Sequence, residues 1–193
     1  AERLSPMEQL NTAISLLEPI KDKIIAITSG NHEDRTYNKE GIDLMCVVAK
    51  QLGIIDRYSK TSAYIFLSVG EAKRGHGEGR KNSPLTYTIF VTHGSGGGRK
   101  EGAKVIRLAD MASIADADIY IHSHTHLPVI MKQSFFRVDR PNTTIKQVEK
   151  LFINTGATLN YGGYGEKYEF KPNSKENPII QLSDTKIYAK ATI

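Results

Sequence analysis

The sequence predicts one layered α/β domain across residues 1–193, and three observations carry that expectation. Helical patterns alternate with short apolar runs in the first two thirds of the chain. The last third reads as mostly strand. Polar clusters stand where three of the apolar runs stop, which is where α/β folds build their sites.

The elements follow in order. In "SPMEQLNTAISLLEPI", Ser5 is a helix N-cap, Pro6 sits at the first helical position and Glu8 completes a capping box. Leu10, Ile14 and Leu17 form the apolar stripe, and Pro19 stops the helix. A buried strand is expected from Lys23 to Thr28, then a turn at Ser29-Gly30-Asn31. A second helix is expected over about Lys39 to Leu52, stopped by Gly53. "SAYIFLSVG" and "PLTYTIFVTHG" read as strands flanking a polar excursion. The segment Gly102 to Ile114 reads as a helix. "ADIYIHSHTH" reads as a strand with a polar end, and "PVIMKQSFFRV", "KLFINTG", "EKYEF" and "IIQLSDTKIYAKATI" as strands.

Composition narrows the class. Hydrophobic residues make up 39% of the chain, enough for a packed core, so a disordered chain is excluded. No apolar run approaches the roughly 20 residues of a membrane span, and no signal peptide is read at Ala1-Glu2-Arg3. The single cysteine, Cys46, forbids an internal disulfide and suits a cytoplasmic setting; a buried structural thiol is expected. A net charge of +5 permits contact with nucleic acid without requiring it.

The polar clusters are Gly30-Asn31-His32-Glu33, Thr92-His93-Gly94 and His122-Ser123-His124-Thr125-His126. If the strand continues through His124 and His126, a spacing of two puts both rings on one face, ready to ligate a borderline metal ion. Beside the other two clusters, that reading outweighs a polar loop with coincidental histidines. Glu33 would either orient His32 or lie solvated at a helix start. Gly94, Gly96, Gly97 and Gly98 would let backbone approach a phosphate that Arg99 and Lys100 neutralise, or they form a flexible loop before a helix. The basic run Lys73 to Lys81, with His76, reads as a solvated hairpin tip more than a polyanion contact.

In this order the three clusters resemble the later motifs of the calcineurin-like metallophosphoesterases, written GNH(D/E), (G)H and GHxH. The resemblance covers Lys23 to Pro128, with Ser123 where the family has Gly. It implies a layered α-β-β-α sandwich and a pair of divalent ions (manganese, iron or zinc). Asn31, His93 and His124 would hold one ion and His126 the other. His32 would be the catalytic group that faces the phosphoryl group or protonates the leaving oxygen. Gly96, Gly97 and Arg99 would contact substrate. His122 would be structural.

The family's Asp-x-His and Gly-Asp-x-x-(Asp/Asn) motifs are absent from residues 1–30, where Asp22 is the only Asp. The expectation is therefore an N-terminally truncated sandwich that holds one metal or none. A second copy or a partner chain would cover the missing strands. The function implied is a metal-dependent phosphoesterase, a phosphodiesterase or nuclease in preference to a phosphoprotein phosphatase. The alternatives are a non-catalytic binding or scaffold module on the same fold, and a mononuclear zinc hydrolase built on Asn31, His93 and His124.

Overall fold

The computed structural model describes residues 4–70, 84–96, 98, 100–158 and 160–193. The first helix, α1 (Pro6–Leu17), starts as its sequence dictates: the Glu8 carboxylate accepts from Ser5 N at 2.7 Å, and Ser5 Oγ accepts from Glu8 N. Its Leu10, Ile14 and Leu17 pack on Val48, Leu52 and Ile54, forming a small N-terminal core with Ile24, Ile27 and Met45.

The strand expected from Lys23 to Thr28 is reduced to β1 (Ile27–Thr28), parallel to β2 (Tyr58–Ser59). Before it, Glu18–Lys23 is a 3₁₀ turn. The Arg57 guanidinium donates to the carbonyls of Lys21 (3.1 Å) and Ile24 (2.6 Å), so these groups are satisfied without a neighbouring strand.

The helix expected over Lys39 to Leu52 is two helices, α2 (Asn31–Glu40) and α3 (Leu44–Gln51), separated at Gly41, which adopts a left-handed φ of 70°. The polar sequence of α2 carries no apolar stripe, so periodicity misses it. Its signal is the Glu33 carboxylate accepting from Gly30 N at 3.1 Å, a helix-start bond. Asp43 caps α3 through Cys46 N, and Cys46 is half-buried rather than buried.

The main sheet has five strands, β3 (Ser62–Val69), β4 (Leu85–Thr92), β5 (Ile119–His122), β6 (Val129–Asp139) and β7 (Thr144–Asn154), in the order β3-β4-β5-β7-β6. The inner trio β4, β5 and β7 is parallel; β3 and β6 flank it antiparallel. Alternation assigns each face. Phe90, Tyr120 and Phe152 turn toward α4 (Glu101–Asp110) and its Leu108. Tyr87, Ile89, Ile119, Leu151 and Ile153 turn the other way, under the hairpin of β8 (Ile179–Leu182) and β9 (Ala189–Thr192). The protein is thus mixed α/β, with a helix on one face of the sheet and a hairpin on the other.

The strand expected at "EKYEF" is instead a helical turn, α5 (Tyr164–Lys167). Gly162 and Gly163 take positive φ, and Gly165 N and Lys167 N bond back to their carbonyls. No helix among the described residues is long and apolar enough to cross a membrane.

The hairpin is fastened to the sheet by one phenol. Tyr87 is fully buried, its Oη lies 2.6 Å from Ser183 O and 2.9 Å from Tyr188 O, and it accepts from Tyr188 N at 3.1 Å. Tyr87→Phe keeps the ring and strands these groups. We expect a loss of about 1–3 kcal/mol, read as a Tm lower by about 2–10 °C, with faster proteolysis at 183–188.

Candidate metal centre

The three parallel strands end together. Their register aligns Thr92, His122 and Asn154 across β4, β5 and β7, all on the face toward α4. These residues build the floor of the site. Asn154 is 1% exposed, and its Nδ2 donates to Leu127 O at 2.6 Å. That fixes the amide orientation, so Oδ1 is the atom 2.7 Å from His122 Nδ1, and His122 carries its proton there. His122 is thus held from below by Asn154, and its bare Nε2 turns toward Gly94. A Cβ at Gly94 would lie 2.0 Å from that nitrogen, and the backbone there has a φ of +80°. Both facts demand glycine.

The next residues along each strand form the site itself. Ser123 N donates to His93 O, and Thr155 N to His122 O, so the strand ends stay in step. Sequence reasoning extended β5 through His126. The strand stops at His122 instead, and His124 and His126 both take left-handed φ, 59° and 55°. Thr125 N bonds to Ser123 O at 2.6 Å, closing a tight turn centred on His124. The two rings are aimed by strained backbone rather than by strand alternation. Such strain costs on the order of 1 kcal/mol per residue and clusters at functional sites.

Three electron-rich atoms converge above this floor. His93 Nε2 lies 2.9 Å from Asn31 Oδ1 and 3.2 Å from His124 Nδ1, and His124 Nδ1 lies 3.2 Å from Asn31 Oδ1. Asn31 is supplied by the first turn of α2, brought close because Gly30 lacks a side chain: a Cβ there would meet the His93 ring at 3.0 Å. Two imidazole nitrogens and an amide oxygen cannot satisfy all three sides of a triangle with hydrogen bonds, because the oxygen brings no proton and each nitrogen at most one. Ligands of one ion bonded at about 2.1 Å stand about 3.0 Å apart in octahedral and about 3.4 Å apart in tetrahedral geometry. The observed edges are 2.9, 3.2 and 3.2 Å, one at the octahedral value and two midway between the geometries. The three expected ligands of one ion are thus brought within 3.2 Å of one another. Among the described residues there is no group of three or more His, Cys, Asp and Glu that could hold a metal ion.

His126, expected to serve a second ion, is half-buried and close enough to feel the charges of His124, Lys104 and His32. His32 is exposed in the first turn of α2. Glu33 does not orient His32; it caps the helix and lies near enough to His93 to favour the charged ring. Gly96 lines a cavity beside α4 with a φ of 125°. Gly97 and Arg99 lie outside the described residues, as do Lys73 to Lys81 and His76.

Burial, reinforced by the neighbouring His124, holds the His93 and His126 rings below the usual imidazole range. Burial does the same to His122, against the pull of its bond to Asn154. These rings stay neutral and keep lone pairs for ligation at neutral pH. The residue that sequence reasoning missed is Asn154. The signal was a polar residue closing an apolar strand in "LFIN", at the same register as His122.

Comparison with known proteins returns no matching family model, no matching curated protein and no matching solved structure.

Two outcomes follow. Gly94→Ala drives a methyl group into His122 and should lower stability by about 2–5 kcal/mol, measured by urea unfolding. The metal-free protein should also lose stability in mild acid. Unfolded imidazoles protonate near about 6.5 while His93, His122 and His126 resist, so the unfolded state binds more protons as pH falls below that value. The loss should begin near pH 6.5, continue until the lowered values are passed, and be shallower in His93→Gln, as followed by denaturation midpoints from pH 7.5 to 5.

Proposed function

We propose that this chain is the metal-binding part of a metal-dependent phosphoesterase of the calcineurin-like type, acting on phosphodiesters. The observation that carries the reading is the triangle of Asn31 Oδ1, His93 Nε2 and His124 Nδ1, whose edges of 2.9, 3.2 and 3.2 Å suit three ligands of one divalent ion. Mixed nitrogen and oxygen donors fit manganese, iron or zinc. When bound, such an ion supplies Lewis-acid polarisation of a phosphoryl oxygen and lowers the pKa of a bound water.

The chain's own residues would divide the remaining work. Asn31 donates a neutral oxygen, which leaves the ion's charge undiminished for the phosphate. His93 and His124 bring imidazole nitrogens. His126 supplies one donor toward a second ion, which would need further donors beyond those described. His32, exposed in the first turn of α2 and near His126, would protonate the departing oxygen. Asn154 holds the loop through Leu127 O and holds His122 beneath it, so the ligands keep their aim. A net charge of +5 and a parallel-strand edge lined with amide and imidazole groups favour a polyanionic diester over a phosphoprotein. The layered α-β-β-α sandwich is part of the same proposal, with the β8–β9 hairpin as the remnant of its second sheet.

The absence of a carboxylate from the described donor set favours a second reading, a binding module that keeps the ion and not the catalysis. One experiment separates them. Manganese is titrated into the full chain by calorimetry, and hydrolysis of bis(p-nitrophenyl) phosphate is followed in parallel. One ion per chain, with affinity lowered at least about 100-fold in His93→Ala and about 10–100-fold in Asn154→Ala, is expected. Turnover that depends on manganese and falls in His32→Ala supports the enzyme. Binding without turnover supports the module, and no binding sinks both.

A further inference from the structure

A second feature lies beside the triangle. A cavity of about 180 Å³ is lined by Gly96, Gly98, Ala103, Lys104, Arg107 and Thr125. Lys104 is half-buried and Arg107 exposed, one turn apart on α4, and among the described residues no carboxylate lines the cavity. The ten-residue helix α4 begins at Glu101, and its Ala103, Lys104 and Arg107 form one wall of the cavity. The Glu101 carboxylate is paired with Lys171 at 2.6 Å. Thr125 adds an independent sign. It is 8% exposed, and its Oγ1 is buried with no hydrogen-bond partner among the described residues. An unpaired buried hydroxyl costs about 1–3 kcal/mol, so it is a group in want of a ligand.

We propose that this cavity seats a phosphate oxyanion, held by Lys104, Arg107 and Thr125 Oγ1. Guanidinium and ammonium groups supply charge-assisted donors, and the threonine hydroxyl supplies a neutral donor within the wall. Gly96 and Gly98 keep the wall thin: a Cβ at Gly98 would stand 2.9 Å from Ala103 Cβ. Thr125 is the residue between His124 and His126, so the seat adjoins the metal triangle. Resting on the function proposed above, the seated group is a second phosphate of the substrate, next to the one being cleaved. The substrate class is then a molecule with neighbouring phosphates, such as a nucleic-acid backbone.

The test is a titration of inorganic phosphate into the metal-free full chain, at ionic strength held constant with chloride. Saturable binding is expected, weakened at least about tenfold in Lys104→Gln and in Arg107→Gln. Thr125→Val should weaken it while leaving the Tm at or above that of the parent, because the change removes an unpaired hydroxyl. That combination is one a purely structural threonine would not give. Absence of phosphate binding, or equal binding by all three variants, overturns the proposal. Manganese binding without phosphate binding overturns it while sparing the metal centre. Phosphate binding without manganese binding supports the seat and rejects the metal centre.

Discussion

The Asn154 side chain is the constraint on which the site depends. Buried at the end of β7, it holds the Leu127 carbonyl with one end and the His122 ring with the other. Those two bonds bracket the loop that carries His124 and His126. They also fix the His122 tautomer, and the His122 ring in turn demands that residue 94 be glycine. Gly94 sits directly after His93. One amide therefore governs where two of the three corners of the donor triangle stand.

The site is assembled against local preference. His124 and His126 hold left-handed backbone, Thr125 keeps an unpaired hydroxyl, and two imidazole nitrogens face an amide oxygen. Each arrangement is unfavourable alone, and the surrounding packing sustains them. The parallel strands β4, β5 and β7 are buried on both faces by Phe90, Tyr120 and Phe152 on one side and Ile89, Ile119 and Ile153 on the other. That burial supplies the rigidity that strained ligand placement requires.

Much of this was legible in the residues. The Ser5–Glu8 capping box, the Leu10, Ile14 and Leu17 stripe, the two strands around residues 62–92 and the helix on Gly102 to Ile114 all follow from pattern and cap chemistry. That the three polar clusters could converge followed from their places at strand ends; the grouping of Asn31, His93 and His124 was what the family resemblance implied. What failed had physical causes. Helix α2 is polar throughout, so no stripe announces it. Arg57, far along the chain, satisfies carbonyls that otherwise would call for a strand at 23–26. The spacing of His124 and His126 suggested strand alternation, but the turn closed by Thr125 N and Ser123 O delivers the rings by other means. Asn154 was invisible because its meaning lies in register with His122, a relation between distant segments.

The hydrophobic side chains form separate cores. Val48, Leu52 and Ile54 anchor a small one under α1 and α3, while the sheet carries the larger ones on its two faces. The donor triangle draws Asn31 from the border of the first and His93 and His124 from the edge of the second. Anything that ligates all three corners has affinity only for the arrangement in which both cores are formed and apposed, so its binding free energy adds directly to their cohesion. The triangle is thus a weld between two parts of the molecule that the apolar packing leaves largely to themselves, and occupancy there would be felt as cooperativity in unfolding.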